Sequence, residues 1–302
     1  MLYQFRTKLN KRWFDQRARG IYRTPMVRRD PASPVVVLTM LHHPDVTMFV
    51  VAAKSFCRFL RPGRFVVADD GLLESDRELL RQHFEGMEFV PTSQTRSPRT
   101  PRGGCWERLL TVADLNRQHY VIQLDADTVT LNRPDEVLDC VAANHSFTLG
   151  TEGGQRIISC DEASRIASGW QGDHVQVVSE QALTRLPPEI GTLYVHGCAG
   201  FAGFRPGSIS RERVEEVSEA MACVVPPAKW AQWGSEQVTS NFLVANTPQA
   251  VVLPPSTYPF WMPGVDTHSA RLVHFFGTHR FQGGRYVASA VRLAHELSAA
   301  AA

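Results

Sequence analysis

The sequence lacks any apolar run long enough to cross a bilayer. Its longest apolar stretches, Val35 to Leu41 and Met48 to Ala53, fall far short of the ~20 residues a spanning helix needs. Basic residues near the N-terminus have no continuous apolar segment behind them, so a cleaved signal peptide is not expected. No C-x-x-C pair occurs. Cys57, Cys105, Cys140, Cys160, Cys198 and Cys223 are widely and irregularly spaced, which fits neither a zinc site nor a disulfide scaffold and points to reduced, mostly buried thiols in a cytoplasmic protein. Internal repeats are missing, and no nucleic-acid partner is expected. Acidic residues are almost absent from one end: within 1–29, Asp15 stands alone among Arg6, Lys8, Lys11, Arg12, Arg17, Arg19, Arg23, Arg28 and Arg29. With a formal charge of +2 for the whole chain, the remainder is net acidic.

What is present is an ordinary globular composition, 43% hydrophobic and 21% charged over 302 residues, which excludes wholesale disorder. Residues 1–34 read as a basic arm with interleaved aromatics (Tyr3, Phe5, Trp13, Phe14, Tyr22) and exits at Asp30-Pro31 and Ser33-Pro34. Such a segment either lies on an anionic membrane surface or packs as a helix with its charges in water, and both readings stay open. Residues 35–302 are taken as one domain. Val35-Val-Val-Leu-Thr39 reads as a buried parallel strand, and helical spacing follows over 45–60. Arg64 to Ala68 is a second strand, closed by the turn Asp69-Asp70-Gly71. A helix from Ser75 to Phe84 has Ser75 as N-cap and Glu78 at the capping-box position. Phe89-Val90 is a third strand, and Pro91 to Gly104 reads as a polar loop. This alternation predicts an α/β fold with a Rossmann-like, mostly parallel central sheet and flanking helices. Further on, the pattern gives a helix at Trp106 to Asn116, a strand at Tyr120 to Leu124 and a glycine-rich strand at 197–204. Helices are read near Arg211 to Cys223, Glu236 to Ala245 and 285–300.

The strand Tyr120 to Leu124 runs straight into Asp125-Ala126-Asp127. Two aspartates at i and i+2 project to the same side, at the end of a parallel strand where α/β enzymes bind ligands. Such carboxylates repel unless a cation lies between them, and a divalent ion with oxygen preference answers that need. A nucleotide sugar supplies a reason for the ion, since its diphosphate leaving group gathers charge as the sugar–phosphate bond breaks.

From here the chain resembles the family 8 glycosyltransferases, the GT-A fold group that includes glycogenin and bacterial lipopolysaccharide galactosyltransferases. The resemblance is a series of short motifs running from Val35 to about Arg280. Val51-Ala-Ala-Lys-Ser55 resembles the helix after the strand end that contacts uridine, and Phe65 to Leu72 with its following helix resembles the second βα unit. Trp106-Glu-Arg108-Leu109 resembles the aromatic-x-Arg-Leu motif whose arginine contacts the donor, and Leu124 to Val129 is similar to the D-x-D strand. Glu236-Gln237-Val-Thr-Ser-Asn241 has the spacing of D-Q-x-x-L-N. His274-Phe-Phe-Gly277-Thr-His-Arg280 resembles H-x-x-G-x-x-K.

The resemblance implies a UDP-hexose donor and a sugar transferred with retention to an unidentified acceptor. It implies Gln237 by the β-face of the donor sugar, Glu236 near its hydroxyls, and Asp125, Asp127 and His274 as ligands to Mn²⁺, with Mg²⁺ as the other candidate. Gly277 then admits the phosphates and Arg280 holds them; an imidazole, a glycine and a cation are each chemically suited to those roles. Departures are specific. Cys198-Ala199-Gly200 stands where the family has Asn-x-Gly, leaving Gly200 but no amide, and the strand end Thr39 to Pro44 lacks the acidic and amide residues near uracil, leaving Thr39 or His42 to serve. Two rivals remain. Gln123 to Val129 also resembles the nucleophile strand of haloacid-dehalogenase-like phosphatases, with Asp125 as nucleophile, though no acidic G-D-x-x-x-D pair follows downstream. The other rival is a non-catalytic sugar-nucleotide binder.

Overall fold

The computed structural model describes residues 2–300 of the chain. Its strands, in chain order, are β1 (Val35–Leu41), β2 (Arg64–Asp69), β3 (Met87–Pro91), β4 (Tyr120–Leu124), β5 (Thr128–Thr130), β6 (Phe147–Gly150), β7 (Ile158–Ser159), β8 (Leu193–Tyr194), β9 (Gly197–Phe204), β10 (Val251–Leu253) and β11 (Leu272–His274). The residues gather into two compact units, one made of Met1–Phe89, Leu124–Asp135 and Ser256–Ala302, the other of Val90–Gln123 and Glu136–Pro255. The strands of the mostly parallel arrangement run in the order β1-β2-β3 in the first unit and β10-β6-β9-β4 in the second. No helix among the described residues is long and apolar enough to cross a membrane.

In the first unit, β1 and β2 pair in parallel from Val36 opposite Arg64 to Leu41 opposite Asp69. Both are apolar on each face and almost wholly buried, as expected of strands covered on both sides. Asp69 ends β2 by accepting from the backbone N–H groups of Gly71 (3.0 Å) and Leu72 (2.8 Å), and its other oxygen takes the Arg77 guanidinium at 2.6 Å. The next helix starts at Glu74, one residue earlier than expected. Its cap is not Ser75 but a reach-back by Asp76, whose carboxylate accepts from the Leu73 N–H at 2.8 Å and meets His43 Nδ1 at 2.8 Å. The segment from Pro91 to Gly104 is not wholly a loop either, because Thr92–Thr95 makes one helical turn.

The helix Leu2–Ala18 packs against the helix Arg285–Ala299, with Phe14 and Ala18 fully buried and the Phe14 ring 4.3 Å from that of Tyr286. Lys8, Arg12 and Arg17 stay exposed on it, with Leu9 and Trp13. A separate two-stranded ladder joins β5 to β11, antiparallel, setting His274 opposite Thr128. In the second unit, β10 pairs parallel with β6, and β6 pairs antiparallel with β9 across a register shift at Thr148/Leu149.

Lys54, on the buried helix Val46–Cys57, is only 1% exposed. Its ammonium donates to the Thr24 carbonyl (3.2 Å), the Thr24 hydroxyl (2.8 Å) and the Pro25 carbonyl (2.5 Å), pinning the segment after the first helix to the unit. Burial pulls its pKa down to about 8, against a small opposing effect of Cys57. A base with a depressed folded-state pKa weakens the fold while both states are charged. Stability therefore rises with pH between that value and the unfolded lysine's value of about 10.4. Replacing Lys54 by Met is expected to cost about 1–3 kcal/mol in urea unfolding near neutral pH, through the orphaned acceptors. It should also remove the wild-type rise in stability between those two pKa values, which unfolding curves collected across that range will measure.

Candidate functional site

The β5–β11 ladder builds the first cluster. Because His274 ends β11 opposite the residue after Asp127, its imidazole meets that carboxylate: Nε2 lies 3.1 Å from Asp127 Oδ1 and 4.0 Å from Asp125 Oδ2. The backbone is locked there too. Phe275 N–H donates to the Asp127 carbonyl at 2.8 Å, Thr128 Oγ1 donates to the Asp125 carbonyl at 2.9 Å, and the Tyr286 hydroxyl donates to the Ala126 carbonyl at 3.2 Å. After β11 the chain turns through Gly277, whose φ of +58° favours glycine, and delivers Arg280. The Arg280 guanidinium donates to the Phe275 carbonyl at 2.9 Å and to Asp127 Oδ2 at 2.6 Å.

Asp127 is thus buried with both oxygens engaged. Burial alone would raise its pKa, but His274 and then Arg280 outweigh that and hold it below the ordinary carboxylate value. Donor atoms of Asp125, Asp127 and His274 all lie within 4.8 Å of one another, and the three could hold a metal ion. Two carboxylates and one imidazole form a hard oxygen-rich set with a single nitrogen, suited to Mn²⁺ or Mg²⁺ rather than to a thiophilic ion.

Two neighbours escaped the motif reading. Asp45, just beyond the strand end Thr39 to Pro44, pairs with His42 Nδ1 at 3.2 Å. Burial raises its pKa, and its charge is felt by Arg280, Asp127 and Tyr286. Tyr286 is fully buried, and burial, reinforced by Asp127, drives its phenol well above the ordinary value, so it remains a donor. Of the residues read as base contacts, His42 is exposed, while Thr39 is fully buried within β1 with its hydroxyl 3.5 Å from the Met40 carbonyl.

The second unit gathers a different set. The helices Trp106–Asn116 and Ser235–Ala245 begin side by side, joined by a 2.9 Å hydrogen bond from Trp106 Nε1 to Ser235 Oγ. Within the first turn of each, Arg108 Nη2 sits 3.3 Å from each oxygen of Glu236, a pair almost wholly buried. Gln237, half-buried, accepts from the Ala199 N–H at 3.3 Å and donates to Gln176 Oε1 at 3.0 Å. Gly200 follows in β9 with its N–H 3.4 Å from Cys198 Sγ. Gln176 in turn donates to Glu180 Oε1 at 2.9 Å, and Glu180 also takes the Tyr194 hydroxyl at 2.8 Å and His196 Nδ1 at 2.8 Å. This relay from Gln237 to His196 belongs to no motif, because its members come from three separate segments.

No sequence family and no curated protein matches the chain. Solved structures do. The fold is similar to that of the WbbM bifunctional glycosyltransferase in its apo form, at 13% identity and a TM-score of 0.52 over 89% of this chain; the chain spans about half, 52%, of that protein. It is also similar to the galactosyltransferase LgtC in complex with donor and acceptor sugar analogs, at 12% identity and a TM-score of 0.50 over 87% of this chain and 96% of that one. At such identities the likeness is one of fold, and the fold is the GT-A type expected from the motif series.

Proposed function

We propose that the chain is a metal-dependent glycosyltransferase that moves a hexose from UDP to a sugar-bearing acceptor with retention of configuration. One observation carries this reading: Asp125, Asp127 and His274 converge, with Arg280 beside them, in a chain of GT-A fold. Support for a sugar acceptor comes from LgtC, which was solved with donor and acceptor sugar analogs.

In this reading Asp125, Asp127 and His274 hold Mn²⁺, or Mg²⁺, whose charge offsets that of the diphosphate leaving group. Arg280 binds phosphate oxygens, with Gly277 leaving room for them, and Thr39 or His42 meets the base. Arg108, Glu236 and Gly200 are assigned to the donor sugar. Arg108 suits that task because Glu236 already balances its charge, so the pair can offer hydrogen bonds without an uncompensated buried ion. Gln237 is assigned to the β-face of that sugar. Its amide is oriented by Ala199 and Gln176 and cannot act as a carboxylate nucleophile, which favours front-face attack with the leaving phosphate accepting the acceptor's proton.

The reading carries a cytoplasmic protein with peripheral membrane contact through its N-terminal helix, supported by Leu9 (47% exposed) and Trp13 (45% exposed) among Lys8, Arg12 and Arg17. The double variant Leu9→Ser/Trp13→Ser should sediment less with anionic vesicles than wild type. Equal partitioning would remove the membrane contact.

Calorimetric titration with UDP should show binding that requires Mn²⁺ and is lost in Asp127→Ala. Absence of UDP binding in wild type with or without Mn²⁺ would sink the donor assignment. Release of phosphate from a generic phosphoester would instead favour the phosphatase with Asp125 as nucleophile, and binding of UDP-sugar without turnover a non-catalytic binder. With an active donor–acceptor pair, NMR of the fresh product should report the donor's anomeric configuration. An inverted product would transfer the decisive role to Glu236 as general base.

A further inference from the structure

The second unit contains a cavity of about 230 Å³ that no motif touches, lined by Gly153, Arg156, Ile166, Trp170, Glu180 and His196 among others. We propose that it is the subsite for one neutral sugar ring of the acceptor, gripped by His196 and covered by Trp170; this deepens the glycosyltransferase reading above and rests on it.

The argument starts from Glu180. Its carboxylate is 1% exposed and is met by Tyr194, Gln176 and His196. Burial, strengthened by the adjacent carboxylate, pushes the Tyr194 phenol well above its ordinary value, so the hydroxyl donates and Glu180 accepts. His196 Nδ1 lies 2.8 and 2.9 Å from the two Glu180 oxygens and 3.2 Å from the Gln176 amide nitrogen, so that ring nitrogen is engaged by the protein. With Nδ1 engaged there, Nε2 is the ring nitrogen left to hydrogen-bond a ligand hydroxyl. The His196 backbone is fixed as well. Its carbonyl accepts from Thr151 Oγ1 at 2.7 Å, and Gly154 lies so close that a Cβ there would strike the His196 carbonyl and Cβ.

Trp170 supplies the second wall, half-exposed, with its ring 4.7 Å from the imidazole and at 62° to it. An indole face beside a hydrogen-bonding nitrogen suits a pyranose, which has apolar C–H faces and a rim of hydroxyls. Charge decides against an anion. Glu180 and Glu152 both line the cavity, and the nearby Arg156 already pairs with Glu162 at 2.7 Å. The volume lies below the roughly 300–1,000 Å³ of pockets for drug-sized ligands, which limits the occupant to about one ring. Gln176 connects this wall to the donor machinery, since the same amide touches Glu180 and Gln237.

The test uses the full chain labelled with ¹⁵N-histidine, the His196 signals being assigned with His196→Gln. The probes are methyl glucosides, galactosides and mannosides at millimolar concentrations. At least one should move the His196 Nε2 resonance, and Trp170→Ala should weaken that binding about tenfold while still binding UDP with Mn²⁺ as wild type does. Failure of every glycoside to move the signal, or unchanged affinity in Trp170→Ala, would overturn the subsite. Tighter binding of glucose 6-phosphate than of the methyl glucosides would overturn its neutral character. Because this readout needs neither UDP nor metal, glycoside binding in a chain that ignores UDP would remove the acceptor role and the transferase reading together. UDP binding without glycoside binding would remove the subsite alone.

Discussion

A buried carboxylate must be met by donors, and much of this molecule's arrangement answers that demand. Asp127, Glu180 and Glu236 are each less than a tenth exposed, and each is met by a different set of partners. Asp127 draws in an imidazole and a guanidinium from the far end of the chain. Glu236 draws one guanidinium from a neighbouring helix. Glu180 is satisfied by a phenol, an amide and an imidazole, with no permanent cation among them. Leaving any of these acceptors unmet would cost more than the interaction itself contributes, so the partners are held firmly in place.

That firmness is what makes the groups usable. A side chain whose orientation is set by a buried neighbour loses little further freedom when a ligand arrives. Gln237 is held at both ends of its amide, by a backbone N–H and by Gln176, and so presents a fixed polarity. Arg280 is tethered at the Phe275 carbonyl as well as at Asp127, so loosening the second contact would not release the side chain entirely.

Much of the framework was legible because its elements are long enough to carry a period. Tyr120 to Leu124 and Trp106 to Asn116 emerge with the bounds read from the pattern, as does the glycine-rich strand ending at Phe204. β5 and β11 were not legible: three residues each, they show no period and become strands only through one another. His274 was therefore visible only through the resemblance of the segment around it, although its partnership with Asp127 is a simple result of register. The cap at Leu73 was misplaced because Ser75 and Glu78 satisfy the local rule, while Asp76 also gains His43, a residue from outside the helix. Glu180, Gln176 and His196 were beyond reach because no spacing rule links a helix at Val175–Gln181 to a strand that begins at Gly197. Asp45 sits just past the strand end that was searched for base contacts.

The unit that contains Asp127 is stitched from three separate stretches of sequence, and 147 positions separate Asp127 from His274. Closing so large a loop carries an entropic penalty that the contacts of the β5–β11 ladder must offset. β1 and β2, by contrast, are joined by a single helical crossover and have little to wait for. Until the ladder zips, the two aspartates face each other without imidazole or guanidinium. A chain emerging from the ribosome therefore carries its acidic pair early, and the imidazole and guanidinium that meet Asp127 only once synthesis has passed Arg280.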